Sequence, residues 1–152
     1  MKTNPFTKWL LAPVLILGGC SKEIPAASGP CLPFFEAGWI RIGPTAMPMM
    51  GGFGRIQNGC AEDVAVVGAS SPHFADVSLH RTISEDGMSR MRPVPRLEVE
   101  SGTTAVLEPG GLHLMLMQPV GDFEAGSEVS VTLKLEDGRE LPAKFVVQAN
   151  AP

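Results

Sequence analysis

The chain has 152 residues and a formal net charge of −4, and no cluster of Lys or Arg stands out along it. This excludes the one-sided basic footprint by which a protein binds nucleic acid. No activated nucleophile or acid pair stands beside a histidine, so the chain reads as a non-enzyme, and its chemistry must rest on three histidines, three cysteines and eight methionines.

Met1 to Lys8 carries two lysines and no acid, followed by the apolar run "WLLAPVLILGG" and then Cys20. A positive start, a short apolar stretch and small residues at the end predict a secretory signal over residues 1–19. The run is too short for a transmembrane helix. The string "LGGC" at 17–20 resembles the lipobox of bacterial lipoproteins. The resemblance implies cleavage before Cys20, a diacylglycerol on its sulfur and an acylated amine, which anchor a domain to the membrane without spanning it. A plain signal peptide with an incidental cysteine is the alternative. Ser21, in place of Asp, favours the outer membrane over inner-membrane retention. The expected location is therefore the periplasm, with "SKEIPAASGP" (21–30) as a polar tether behind the lipidated Cys20.

Export puts the remainder in an oxidising compartment. With Cys20 lipidated, Cys31 and Cys60 are left to form a disulfide; a redox or metal-binding pair is the alternative, but their spacing lacks the C-x-x-C form. Residues 31–150 suffice for one domain with one core.

From residue 38 on, the pattern is strands and turns, with no useful helical period. Strands are predicted at "GWIRI" (38–42), "GFGRIQN" (52–58), "DVAVVGA" (63–69), "DVSLHRTI" (76–83) and "MSRMRPV" (88–94). Five more follow at "RLEVE" (96–100), "TTAVLE" (103–108), "LHLMLM" (112–117), "EVSVTLKLE" (128–136) and "ELPAKFVVQ" (140–148). Asp86-Gly87, Ser101-Gly102, Pro109-Gly110-Gly111 and Asp137-Gly138 supply turns. Short strands at this spacing predict an all-β barrel or sandwich.

Two of these strands and a hairpin place donors together. A two-residue turn at Asp86-Gly87 pairs Glu85 with Met88 and Thr82 with Met91, which sets His80 and Met91 diagonally on one face, about 7–8 Å apart; a four-residue loop would set them directly opposite, again on one face. In "LHLMLM" the leucines face one way, while His113, Met115 and Met117 face the other. Imidazole and thioether at His113 and Met115 can converge on one ion. Met117, about 13 Å along the strand from His113, reads as packing. The glycine-rich turn before His113 puts this site at one end of the barrel. Thioethers are soft donors that suit Cu(I), whereas Ca(II) and Mg(II) take oxygens and structural zinc takes thiolate or imidazole. A neutral set of two His and two Met matches a monovalent ion. A blue-copper site would need a cysteine beside His113, and none is near it in sequence.

His80, ten residues, Met91, twenty-one residues, His113, one residue, Met115: this spacing resembles the H-x10-M-x21-H-x-M signature of the PCu(A)C periplasmic copper chaperones. The resemblance runs through "GWIR", "GFGRIQN", "SSP", "LHRT", "MSRMRPV" and "LEPGGLHLMLM", over roughly residues 38–148. It implies a cupredoxin-like Greek-key β-barrel that binds one Cu(I) through His80, Met91, His113 and Met115. It also implies delivery of copper to the Cu(A) site of cytochrome c oxidase subunit II, directly or through a Sco-type assembly protein. Some members add a His- and Met-rich tail that holds Cu(II); "KFVVQANAP" has neither residue, so that second site is not expected.

The other candidates take structural readings. His73 is expected to be structural, and Trp39 and Phe53 to lie in the core. Glu62-Asp63 and Glu136-Asp137 are expected to be solvated turn residues. In "MPMM" (47–50), packing is favoured over an outer methionine surface that hands copper on. Copper resistance or storage, or a metal-free anchored β-sandwich, are the alternative functions.

Overall fold

The computed structural model describes residues 31–43 and 48–149. The expected signal, the lipid site at Cys20, the tether and Met47 lie outside the described residues.

All ten predicted strands are present: β1 (Phe34–Arg41), β2 (Met49–Gln57), β3 (Val64–Ser70), β4 (Phe74–Glu85), β5 (Met88–Pro93), β6 (Leu97–Val99), β7 (Thr104–Leu107), β8 (Leu112–Pro119), β9 (Glu128–Leu135) and β10 (Glu140–Gln148). Seven of them close a ring in the order β4-β8-β2-β1-β10-β9-β3 and back to β4, so the expected barrel holds. Non-sequential neighbours such as β2 with β8 and β3 with β9 are crossovers of the Greek-key kind. Only β1 with β10 runs parallel among the pairs. No helix among the described residues is long and apolar enough to cross a membrane, which says nothing of membrane β-barrels.

The core follows from alternation. Leu112, Leu114 and Leu116 of β8, Val129, Val131, Leu133 and Leu135 of β9, and Leu141, Ala143, Phe145 and Val147 of β10 all point inward and are buried. Burying a leucine or valine side chain contributes about 1.5–3 kcal/mol, so this lining supplies the main driving force.

One irregularity decides which residues reach the outside. Between Glu36 and Trp39 the pairing of β1 with β2 slips by a residue, and Ala37 sits at φ 52°. Such a bulge inserts one residue and reverses the alternation beyond it. Phe35 packs against the core before the bulge and Ile40 lies in it afterwards. Trp39 and Arg41 are thereby turned to the outer wall. Trp39 and Phe53, expected in the core, are buried but stand outside the barrel, their rings packed together at 4.4 Å between centroids and tilted by 34°.

Cys31 and Cys60 form the expected disulfide. Beside it, the buried Asn58 side chain donates to the carbonyls of Glu62 and Val99, both at 2.9 Å, and accepts from the Cys60 amide at 3.1 Å. The acidic turn residues are exposed but not all merely solvated. Asp63 accepts from the Ser101 amide, and Glu136 accepts two hydrogen bonds from Arg96, which hold its carboxyl below the usual range.

Candidate metal centre

The β4–β5 hairpin folds in the expected register. Asp86 and Gly87 both take positive φ, the conformation of a type I′ two-residue turn, and Glu85 pairs with Met88 and Thr82 with Met91. Met91 therefore shares the outer face with His80, two residues from Thr82 on β4.

On β8, His113 is directly opposite His80, and Met115 is opposite Ser78 on the same face. The two imidazole centroids lie 6.2 Å apart. Across the other edge of β8, Gly51 of β2 faces Met115 and Arg41 of β1 faces Gly51. An open cavity of about 220 Å³ lies over this wall; Met91, His113 and Met115 line it together with Phe53, Arg41 and Pro109-Gly110. His80 flanks His113 without lining the cavity. The site thus lies on the outer wall beside the Pro109-Gly110 turn, a refinement of its expected place at a barrel end.

The backbone fixes the state of His113. Its Nδ1 lies 3.0 Å from the Gly111 carbonyl oxygen, which can only accept. Nδ1 must therefore carry the proton, and Nε2 presents a lone pair, the arrangement that orients metal-ligating histidines. The same carbonyl accepts from the Thr82 amide at 3.0 Å. One oxygen thus ties His113 to the hairpin that carries His80 and Met91.

His80 lacks comparable support. Nε2 makes a long 3.3 Å contact with Ser78 Oγ, and Nδ1 is buried with no hydrogen-bond partner. A structural histidine is ordinarily satisfied; an unsatisfied buried nitrogen costs about 1–3 kcal/mol. Burial, and then the neighbouring His113, lower the His80 pKa, while Asp76 opposes them. The neutral, metal-competent form is favoured. Buried unpaired nitrogen beside soft sulfur is a donor set that fits a cuprous ion.

The surroundings were less legible. Phe53 lies 6.3 Å from the His113 ring, and the Arg41 guanidinium sits 5.6 Å over Trp39 and 5.7 Å over Phe53. A Cβ on Gly51 would approach the Phe53 ring to 2.9 Å, so glycine there lets the ring lie across the wall. Period-two alternation in "GWIRI" put Trp39 and Arg41 on one face, but only the barrel shows that it is the outer one. His73 packs edge-on against Phe123, a structural role as expected. Met50 pairs with Leu116 and packs against the core, as favoured, whereas Met49 pairs with Met117 on the outer wall.

Comparison with known proteins agrees with this architecture. The copper-bound PCuAC domain from PmoF2 superposes with a TM-score of 0.63 at 18% identity, covering 76% of this chain and 92% of that one. The solution structure of CuI-DR1885 from Deinococcus radiodurans matches with a TM-score of 0.61 at 28% identity, covering 74% of this chain and 76% of that one. Lipoprotein Lxx21020 of Leifsonia xyli subsp. xyli is 29% identical over 97% of this chain and 92% of its own length. The fold is that of PCuAC domains, as the sequence signature implied. A model of the lipoprotein family described as LpqE-like matches residues 35–147, and the chain belongs to that family.

Proposed function

We propose that this protein is a copper carrier that holds one Cu(I) tightly through His80, Met91, His113 and Met115 on the outer barrel wall and passes it to an acceptor protein. The observation that carries the reading is the register: His80 opposite His113, with Met91 and Met115 on the same face and no carboxylate among the described residues that line the cavity. Uncharged sulfur and nitrogen donors suit a soft monovalent ion and offer little to Ca(II) or Mg(II). Copper-bound relatives of this fold support the same assignment.

The burial of the donors suggests how cargo is exchanged. His113 is 6% exposed and held by Gly111, whereas Met91 is 56% exposed on β5, at the edge of the sheet. An incoming donor would displace Met91 first, leaving copper on the anchored His113 until the acceptor completes its own set. Only copper–ligand bonds exchange and no covalent bond of the protein is broken, so the reading is of a carrier without catalysis. The acceptor proposed is cytochrome c oxidase subunit II at its Cu(A) site, or a Sco-type assembly protein. The carrier would work outside the cytoplasm in the periplasm, tethered by lipid at Cys20, with the outer membrane favoured by Ser21.

Anaerobic reconstitution of the full chain with Cu(I), followed by metal analysis and competition with a chromogenic chelator, tests the reading. One tight equivalent is expected, displaced by Ag(I) and not by Zn(II). The double variant Met91→Leu/Met115→Leu should lose it while staying folded; undiminished affinity there would refute the assignment.

A further inference from the structure

Below the four donors, the outer wall carries another row. Met49 of β2 is directly opposite Met117 of β8, and Met117 is directly opposite Asp76 of β4. Both methionines are partly exposed, and Asp76 is exposed. Met49 also lines the cavity that His113, Met115 and Met91 share.

The geometry points to a second, weaker Cu(I) station formed by the Met49 and Met117 thioethers, through which copper enters or leaves the site of His80, Met91, His113 and Met115. The inference rests on that proposed site. Directly opposed residues have Cβ atoms about 4.5–5.5 Å apart. Each methionine has three rotatable bonds, so two sulfurs at that spacing can close on one soft ion. Met115 stands two residues from Met117 on the same face, about 6.6 Å along the strand. It can take the ion from this pair without the ion crossing open solvent.

Three features favour a path over simple packing. Met50, the neighbour of Met49, already fills the core position at this level, so Met49 is not needed inside. Gly51 stands between Met49 and Phe53 on the outer face and contributes no side chain, and the Phe53 ring lies over it, so the surface beside Met49 and Met115 is apolar there. The Asp76 carboxylate, 3.3 Å from Ser78 Oγ, is an exposed negative charge beside Met117, and it draws a monocation toward the pair. Two thioethers without imidazole bind less strongly than two thioethers with two imidazoles, so the station would load after the main site and unload before it. The step is ligand exchange only: copper remains Cu(I), each new S–Cu bond replaces one already present, and no proton or electron moves.

The test is an anaerobic Cu(I) titration of the full chain, with the methionine ε-methyl groups observed by 13C-labelled NMR. The first equivalent should shift Met91 and Met115. A second should shift Met49 and Met117 together and leave Met50 unmoved, with affinity lower by at least tenfold. Met117→Leu should keep the first equivalent and lose the second, and Met49→Leu should also lose the second. A first equivalent with no second, or a second that survives Met117→Leu, overturns the relay and leaves the main site standing. Absence of both equivalents overturns the relay and the carrier assignment together.

Discussion

Replacing His80 with phenylalanine separates the demands of folding from those of copper. The ring stays beside His113, the long Ser78 contact is lost, and the unsatisfied Nδ1 is removed. Relief of an unpaired buried nitrogen is worth about 1–3 kcal/mol, and the lower end applies to this half-buried ring. At about 2.1 cal/mol/K per residue, a domain of ~120 residues gains roughly 4 °C in Tm for 1 kcal/mol. The copper-free His80→Phe variant should therefore melt about 4 °C above the wild type near neutral pH. Burial lowers the His80 pKa below its ordinary 6.5, so the unfolded chain takes up its proton first as pH falls. Wild-type stability then declines from about 6.5 down to the folded pKa and stays reduced below it, and the variant lacks this decline. The gap in Tm should accordingly widen on acidification. With Cu(I) the order reverses, because a ligand at a hundredfold excess over Kd adds about 2.7 kcal/mol to a protein that binds it. Scanning calorimetry at two pH values, with and without Cu(I), reads all three effects. A variant that melts below the wild type without copper, yet gains the full copper shift, would refute the reasoning.

In the proposed carrier, protons should compete with copper for the imidazoles, and the lowered His80 pKa should let copper be retained to a more acid pH than an ordinary imidazole would allow. A Cu(I) affinity that stays flat from about pH 7 to about pH 4 would remove both histidines from the ligand set. Cys31→Ser with Cys60→Ser opens a closure across 29 positions and should cost about 3–4 kcal/mol in urea denaturation without changing copper stoichiometry. Asn58→Leu strands the carbonyls of Glu62 and Val99 and the Cys60 amide; with about 1–3 kcal/mol for each buried group left unpaired, it should destabilise by more than the disulfide loss or fail to fold. Leu114→Ala, at a fully buried position opposite Leu79 and Gly52, should cost about 2–5 kcal/mol by the same denaturation assay.

Much of the barrel is local in origin. Alternation in "LHLMLM" separates the leucine face from the His113 and Met115 face, and Asp86-Gly87 suits a type I′ turn, whose two positive φ values the structure shows. The shared face of His80 and Met91 is therefore readable from the chain alone, and the structure selects the pairing of Thr82 with Met91. The cysteine pair is likewise legible, since the chain has three cysteines and the lipobox expectation sets Cys20 apart.

Other features depend on which strands become neighbours. No local pattern sets His80 opposite His113, 33 residues apart, because that contact requires β8 to insert between β4 and β2. The bulge at Ala37-Gly38 reverses the alternation of β1 and turns Trp39 outward onto Phe53 of β2, so that both, which read as core residues, cover the outer wall beside His113 instead. The split of Met49 and Met50 to opposite faces follows any strand, but only the closed barrel decides which of them meets solvent and which meets the core. By itself the sequence determined the ten strands and the shared face of His80 and Met91, and it marked the four candidate donors, because side-chain alternation and turn chemistry act over a few residues. Tertiary structure decided their surroundings: strand order, bulges and the closing of the sheet are settled by burial of the whole core, to which residues far apart in the chain contribute at once.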